Sequence, residues 1–134
     1  KPHKAQSICI SLAEKINNEF PDFDLILSPA MGGVIIGYEI GKILKKETIF
    51  SERVNGVFQL RRDFNIKKNS KVLVVEDVIT TGKSSLECSK LVTSNLGNII
   101  GYACIINRSN GNSEIKDKER YILSYKISSL QAIN

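Results

Sequence analysis

The segment Val72 to Ser84, VLVVEDVITTGKS, constrains this chain more than any other. It opens with Val72, Leu73, Val74 and Val75, an apolar run without alternation that suits a strand buried on both faces of a helix-covered parallel sheet. The run ends in adjacent carboxylates, Glu76 and Asp77. A loop of small, hydroxylated and glycine residues follows, three residues after the second acid. In parallel sheets, ligands sit beyond the carboxyl ends of the strands. The segment therefore predicts a ligand site at a strand end.

The two halves of the segment differ chemically. Ionised Glu76 and Asp77 only accept hydrogen bonds, which suits vicinal hydroxyls or a hydrated cation. Thr80, Thr81, Gly82, Lys83 and Ser84 offer backbone N–H groups, hydroxyls and an ammonium. Leu86, Cys88, Leu91 and Val92 then read as a helix whose N-terminus favours an anion. A ligand with a diol at one end and a phosphate at the other meets both halves. Helix capping alone would account for the small residues but not for the acids before them. Gly82-Lys83-Ser84 also looks like the tail of a P-loop. That motif needs a glycine five positions before Gly82, where this chain has Asp77, and a carboxylate there would repel phosphates.

The remaining periodicities place this strand in an α/β fold. Ala5, Ile8, Cys9, Leu12, Ala13 and Ile16 predict a helix over about 4–19, ending before Pro21. Asp24 to Leu27 reads as a short strand, Ser28 to Gly33 as a turn, and the spacing of Val34, Ile35, Tyr38, Ile40, Ile43 and Leu44 as a second helix. Thr48 to Val54 and Val57 to Leu60 flank Asn55-Gly56, a dipeptide favoured in tight hairpins. After the strand from Val72 come a helix over about 83–95, a strand from Ile99 to Ile106, and two weaker strands near Tyr121 to Leu123 and Tyr125 to Ile127. The order predicts a mainly parallel central sheet flanked by helices, with a protruding hairpin, in a single domain.

Bulk properties exclude some classes. A length of 134 residues suits one domain with a real core. The net charge of +5 would attract a polyphosphate or nucleic acid. Its lysine stretches are short and interrupted, unlike a nucleic-acid-binding arm. Cys9, Cys88 and Cys104 are far apart and lack metal-site spacing, so they read as buried thiols of a reducing cytoplasm, and no metal-ligating residue is assigned. No apolar run reaches membrane-spanning length. His3 is the only histidine and sits at the terminus, which leaves histidine acid–base chemistry without a candidate.

Three other places carry candidate chemistry. The turn containing Ala30, Met31, Gly32 and Gly33 lies between a strand and a helix, so its amides could form a second anion cradle. The hairpin carries Arg53, Arg61 and Arg62 near its ends, the form expected of a lid that clamps a polyanion and excludes water. Arg108 follows a strand and could make a two-point pair with a substrate carboxylate.

Val72 to Ser84 closely resembles the thirteen-residue phosphoribosyl-pyrophosphate signature of the type I phosphoribosyltransferases, and its wording is particularly like the orotate branch. The resemblance implies that Glu76 and Asp77 hold the ribose hydroxyls and that Thr80, Thr81, Gly82, Lys83 and Ser84 wrap the 5′-phosphate. By the same resemblance, backbone groups of Ala30 to Gly33 contact pyrophosphate, and Arg108 with Thr80 binds orotate. Asp77 and a lid arginine, Arg53, Arg61 or Arg62, would serve catalysis, the arginine reaching the site of the adjacent subunit.

The activity implied is transfer of the phosphoribosyl group to orotate, giving orotidine 5′-monophosphate and pyrophosphate in pyrimidine biosynthesis. Mg²⁺ would arrive mainly on the phosphoribosyl pyrophosphate. A homodimer with a shared lid is expected, and residues 1–134 are expected to lack the family's N-terminal base-capping segment. The rival readings are a purine-type phosphoribosyltransferase and a non-catalytic regulator that senses phosphoribosyl pyrophosphate and binds RNA.

Overall fold

The computed structural model describes residues 2–61, 64–110, 113–115 and 122–127. Among these residues, three helices and six strands follow in the order α1 (Pro2–Glu19), β1 (Leu25–Pro29), α2 (Val34–Leu44), β2 (Glu47–Val54), β3 (Val57–Leu60), β4 (Lys71–Ile79), α3 (Lys83–Ser94), β5 (Asn98–Asn107) and β6 (Ile122–Ile127). The strands form one sheet in the order β3-β2-β1-β4-β5-β6. Every neighbouring pair is parallel except β2 with β3.

The central strand shows why an unalternating apolar run was needed. Val72 and Val74 join Leu25, Leu27, Cys88 and Val92 in the core on the α3 side. Leu73 and Val75 join Leu12, Ile16 and Ile40 in the core beneath α1 and α2. Side chains alternate between the faces of a strand, so both parities must be apolar when both faces are covered. Each such burial contributes roughly 1.5–3 kcal/mol. Helix α2 lies close on the sheet because Gly37 and Gly41 lack side chains: a Cβ would collide with the Ser28 hydroxyl at the first and the Thr48 hydroxyl at the second.

At the hairpin, Val54 pairs with Val57 across Asn55 and Gly56, both at positive φ (54° and 81°). This is the conformation that two-residue hairpins require at both central positions. The base of the hairpin belongs to the sheet, with Ser51 and Phe58 buried, while residues 53–57 and Gln59 are exposed.

Four expectations are corrected. Strand β4 continues past the two acids to Ile79, and β1 runs through Pro29, so the turn is shorter than Ser28 to Gly33. The two weak C-terminal strands are one, β6, parallel to β5. The buried face of α3 is Ser85, Cys88, Ser89 and Val92, with Leu86 and Leu91 only partly buried. Close approach of the helix to the sheet favours small side chains there. All three cysteines are free and buried. No helix among the described residues is long and apolar enough to cross a membrane.

Candidate active site

The alternation that builds the core continues into the acids and separates them. Glu76 has the parity of Val74 and turns beneath α3, where Ser85 Oγ donates to its Oε2. Asp77 has the parity of Val75 and lies against the turn before α2: a Cβ on Gly32 would stand 3.2 Å from Asp77 Oδ1. Its Oδ1 also accepts from the Val78 N–H at 2.8 Å. The acids are therefore not a matched pair with one outlook. Glu76 is buried and Asp77 half-buried. Burial pushes the Glu76 carboxyl up to about 7; the Ser85 hydrogen bond pulls against this and the Asp77 charge adds to it.

The loop after β4 closes through its glycine. Gly82 adopts φ 79° and caps α3, whose first turn closes with Leu86 N–H donating to Gly82 O at 2.8 Å. The Thr81 hydroxyl accepts from Lys83 N–H at 3.2 Å. The first amides of a helix have no partner within it and face whatever lies ahead, with the positive end of the dipole. Thr80, Thr81 and Lys83 are exposed. Together with Glu76, Val78, Ile79, Gly82 and Ser84 they line a cavity of about 230 Å³. A larger cavity, about 470 Å³, opens at the opposite end of the sheet between Asp24, Glu47 and the turn Lys67 to Ser70, and no residue of the Val72–Ser84 segment lines it.

In the turn before α2, the amides of Ala30 and Gly33 are already bonded, to Ser51 O at 2.7 Å and to Pro29 O at 2.9 Å. The amides left for a ligand are those of Met31 and Gly32, at the same end of the sheet as Asp77. A Cβ on Gly33 would lie 2.9 Å from Pro29 O and 3.1 Å from Val75 O, so only glycine lets this turn sit down on β4.

The arginines are placed as follows. The Arg108 N–H donates to Ile79 O at 2.8 Å, which fixes this residue beside the end of β4. Its buried Nε has no hydrogen-bond partner among protein groups. Arg53 makes a two-point contact with Glu87 on α3, and its guanidinium lies 4.5 Å from the Phe58 ring centroid. Arg61 Nε is 3.4 Å from Glu52 Oε2, with the guanidinium 5.9 Å from the Phe50 ring centroid. Both arginines thus lie along the hairpin itself. Arg62 falls outside the described residues.

Two parts of the site escape a reading of the sequence alone. Ser85 directly follows the loop and holds Glu76; its only signal is its spacing of three and seven residues from Cys88 and Val92 on the buried face of α3. The stretch 113–115 closes over the loop: Glu114 N–H donates to Thr81 O at 2.6 Å, and buried Ile115 lies where a Gly82 side chain would go. No local pattern announces that contact.

A phosphoribosyl transferase domain model matches residues 2–132. The chain is 44% identical over 107 residues to the orotate phosphoribosyltransferase of Helicobacter acinonychis, a match covering 80% of this chain and 53% of that protein, so it spans about half the relative's length. Its fold is similar to the crystal structure of adenine phosphoribosyltransferase from Thermoanaerobacter pseudethanolicus (TM-score 0.82, 18% identity, covering 96% of this chain and 82% of that one). It is likewise similar to that of orotate phosphoribosyltransferase from Aeropyrum pernix (TM-score 0.77, 20% identity, covering 98% and 75%). With a strand-end loop at the head of α3, a carboxylate in the wall of its cavity and a family match across nearly its whole length, the chain belongs to the type I phosphoribosyltransferases.

Proposed function

We propose that the protein transfers the 5-phosphoribosyl group from magnesium phosphoribosyl pyrophosphate to orotate, forming orotidine 5′-monophosphate and pyrophosphate. The observation that carries this reading is the cavity framed by Thr80 to Ser84 with Glu76 in its wall. It offers amides and hydroxyls to a phosphate beside a carboxylate for a sugar hydroxyl. Orotate is favoured as acceptor by the 44% identical relative and by Arg108, which is fixed beside the end of β4 with a buried Nε that has no protein partner.

In this reading the C1–pyrophosphate bond breaks through an oxocarbenium-like state, so the site must hold the ribose and neutralise the leaving group. Glu76 and Asp77 accept from the ribose hydroxyls, and Thr80 to Ser84 hold the 5′-phosphate. The Met31 and Gly32 amides face the pyrophosphate. A lid arginine from Arg53, Arg61 or Arg62 closes over it. Among the described residues no three His, Cys, Asp or Glu side chains gather into a metal cage. Magnesium would enter on the diphosphate as part of the substrate.

A homodimer accompanies the proposal. Met31, Ile35 and Tyr38 are 83%, 75% and 58% exposed on one face of α2 and the turn before it, an apolar surface beside the site that a second copy would cover. Sedimentation at micromolar concentration tests this.

The activity is tested by following pyrophosphate release with orotate, uracil and adenine as acceptors. Release with orotate alone supports the proposal. Release only with adenine would move the protein to the purine-type reading, and none with any base would remove the enzymatic one.

A further inference from the structure

We propose that Ser85 is a positioning residue for sugar recognition, its hydroxyl fixing the carboxylate of Glu76 in the orientation and ionised form that accept a ribose hydroxyl. Ser85 is fully buried on the first turn of α3 and faces the sheet where an apolar side chain would ordinarily pack. A buried hydroxyl is costly unless it is bonded, and this one gives its single proton to Glu76 Oε2. The other carboxylate oxygen is then left for the cavity that Glu76 lines. The helix that presents amides to the phosphate would thus also set the acid that reads the sugar.

The surroundings of Glu76 give the hydroxyl this leverage. Burial holds the carboxyl near 7 even with the Ser85 hydroxyl donating to it, so without that donor it would titrate higher still and be less ionised at neutral pH. Around it stand Asp77 on β4, Cys104 opposite on β5, and Cys88 on α3. Both thiols are pushed up to about 12 by burial and stay neutral. Lys83 lines the same cavity from the loop, Glu87 is engaged by Arg53, and β1 contributes no titratable group. Ser85 is therefore the group whose removal moves Glu76 without removing a charge.

This role rests on the proposed function, and two measurements separate them. The ¹³C shift of the Glu76 carboxyl is titrated in ligand-free wild type, Ser85→Ala and Ser85→Thr. Affinity for phosphoribosyl pyrophosphate with magnesium is measured by calorimetry from pH 6 to pH 9. In Ser85→Ala, Glu76 should titrate about one unit higher, and affinity should fall by about fivefold at pH 7 from protonation alone, a loss that shrinks towards pH 9. Ser85→Thr should follow wild type. The ligand phosphate's own titration, near pH 6, is common to all three proteins. An unchanged Glu76 titration in Ser85→Ala, or an affinity loss equal at every pH, would overturn the positioning role alone. Wild-type protein that takes up no phosphoribosyl pyrophosphate would overturn the proposed function and this role together.

Discussion

Arg53 and Glu87 meet in a two-point contact, Nη1 to Oε2 at 2.9 Å and Nη2 to Oε1 at 2.5 Å, that ties the hairpin strand β2 to the outer side of α3. The Glu87 carboxylate raises the already high pKa of Arg53, so the guanidinium stays charged. In this arrangement the hairpin lies along α3 with its arginine engaged. If Arg53 serves as the lid residue, it must leave Glu87 to reach pyrophosphate. Arg53→Ala should then lower kcat at least about tenfold, whereas Glu87→Gln should keep or raise it, with little effect on melting temperature from an exposed pair. Steady-state kinetics on both variants decide; equal losses would mean that the contact itself is what the enzyme needs.

Glu76 should make the protein more stable in acid than in mild alkali. Its carboxyl has an ordinary value of 4.5 and is raised to about 7 in the fold, so between these values the folded state holds a proton that the unfolded chain has lost. The associated stabilisation is full below about 4.5 and is lost as pH rises through 7, a difference of about 3 kcal/mol at most. Glu76→Gln removes the buried charge and should melt higher than wild type at pH 8 while binding phosphoribosyl pyrophosphate poorly. Thermal melts from pH 5 to pH 9 showing the same slope in both proteins would contradict this.

Arg108 should govern the acceptor base. A guanidinium that pairs at two points with a carboxylate makes a contact that uracil cannot reproduce, so Arg108→Ala should weaken orotate on the order of a hundredfold and phosphoribosyl pyrophosphate little. KM values for both substrates check it, and an unchanged kcat/KM for orotate would remove the assignment.

Gly82→Ala should damage loop and fold together. The substitution places a side chain at φ 79°, with its Cβ 2.9 Å from Ile115 Cγ1. Strain and displacement of Ile115 should cost roughly 1–3 kcal/mol and open the seal made by residues 113–115. A lower midpoint in urea with weakened phosphate binding is expected. Wild-type stability would mean that the segment gives way freely.

What the sequence disclosed follows from the range of the forces involved. The helices, the buried strand β4 and the Asn55-Gly56 turn are local patterns, and they stand within a few residues of where periodicity puts them. The opposite outlooks of Glu76 and Asp77 follow from strand parity, but only once β4 is known to continue to Ile79. The Ser85 bond depends on how α3 seats on β4, and spacing within α3 marks Ser85 as buried without naming Glu76 as its partner; the seal by Ile115 depends on how the segment after β5 folds over the loop, which no local spacing encodes. The lid arginines were legible as charges on a hairpin. Their partners, Glu87 on α3 and Glu52 on β2, were not.

The central claim, that the end of β4 and its loop hold a phosphoribosyl group, is tested most directly by calorimetric titration of phosphoribosyl pyrophosphate with magnesium into wild type and the Glu76→Gln, Asp77→Asn double variant. The account predicts saturable binding to wild type and a Kd raised at least about tenfold in the folded double variant, since each charged hydrogen bond contributes about 1.5–3 kcal/mol. Equal affinity in the two proteins would contradict it.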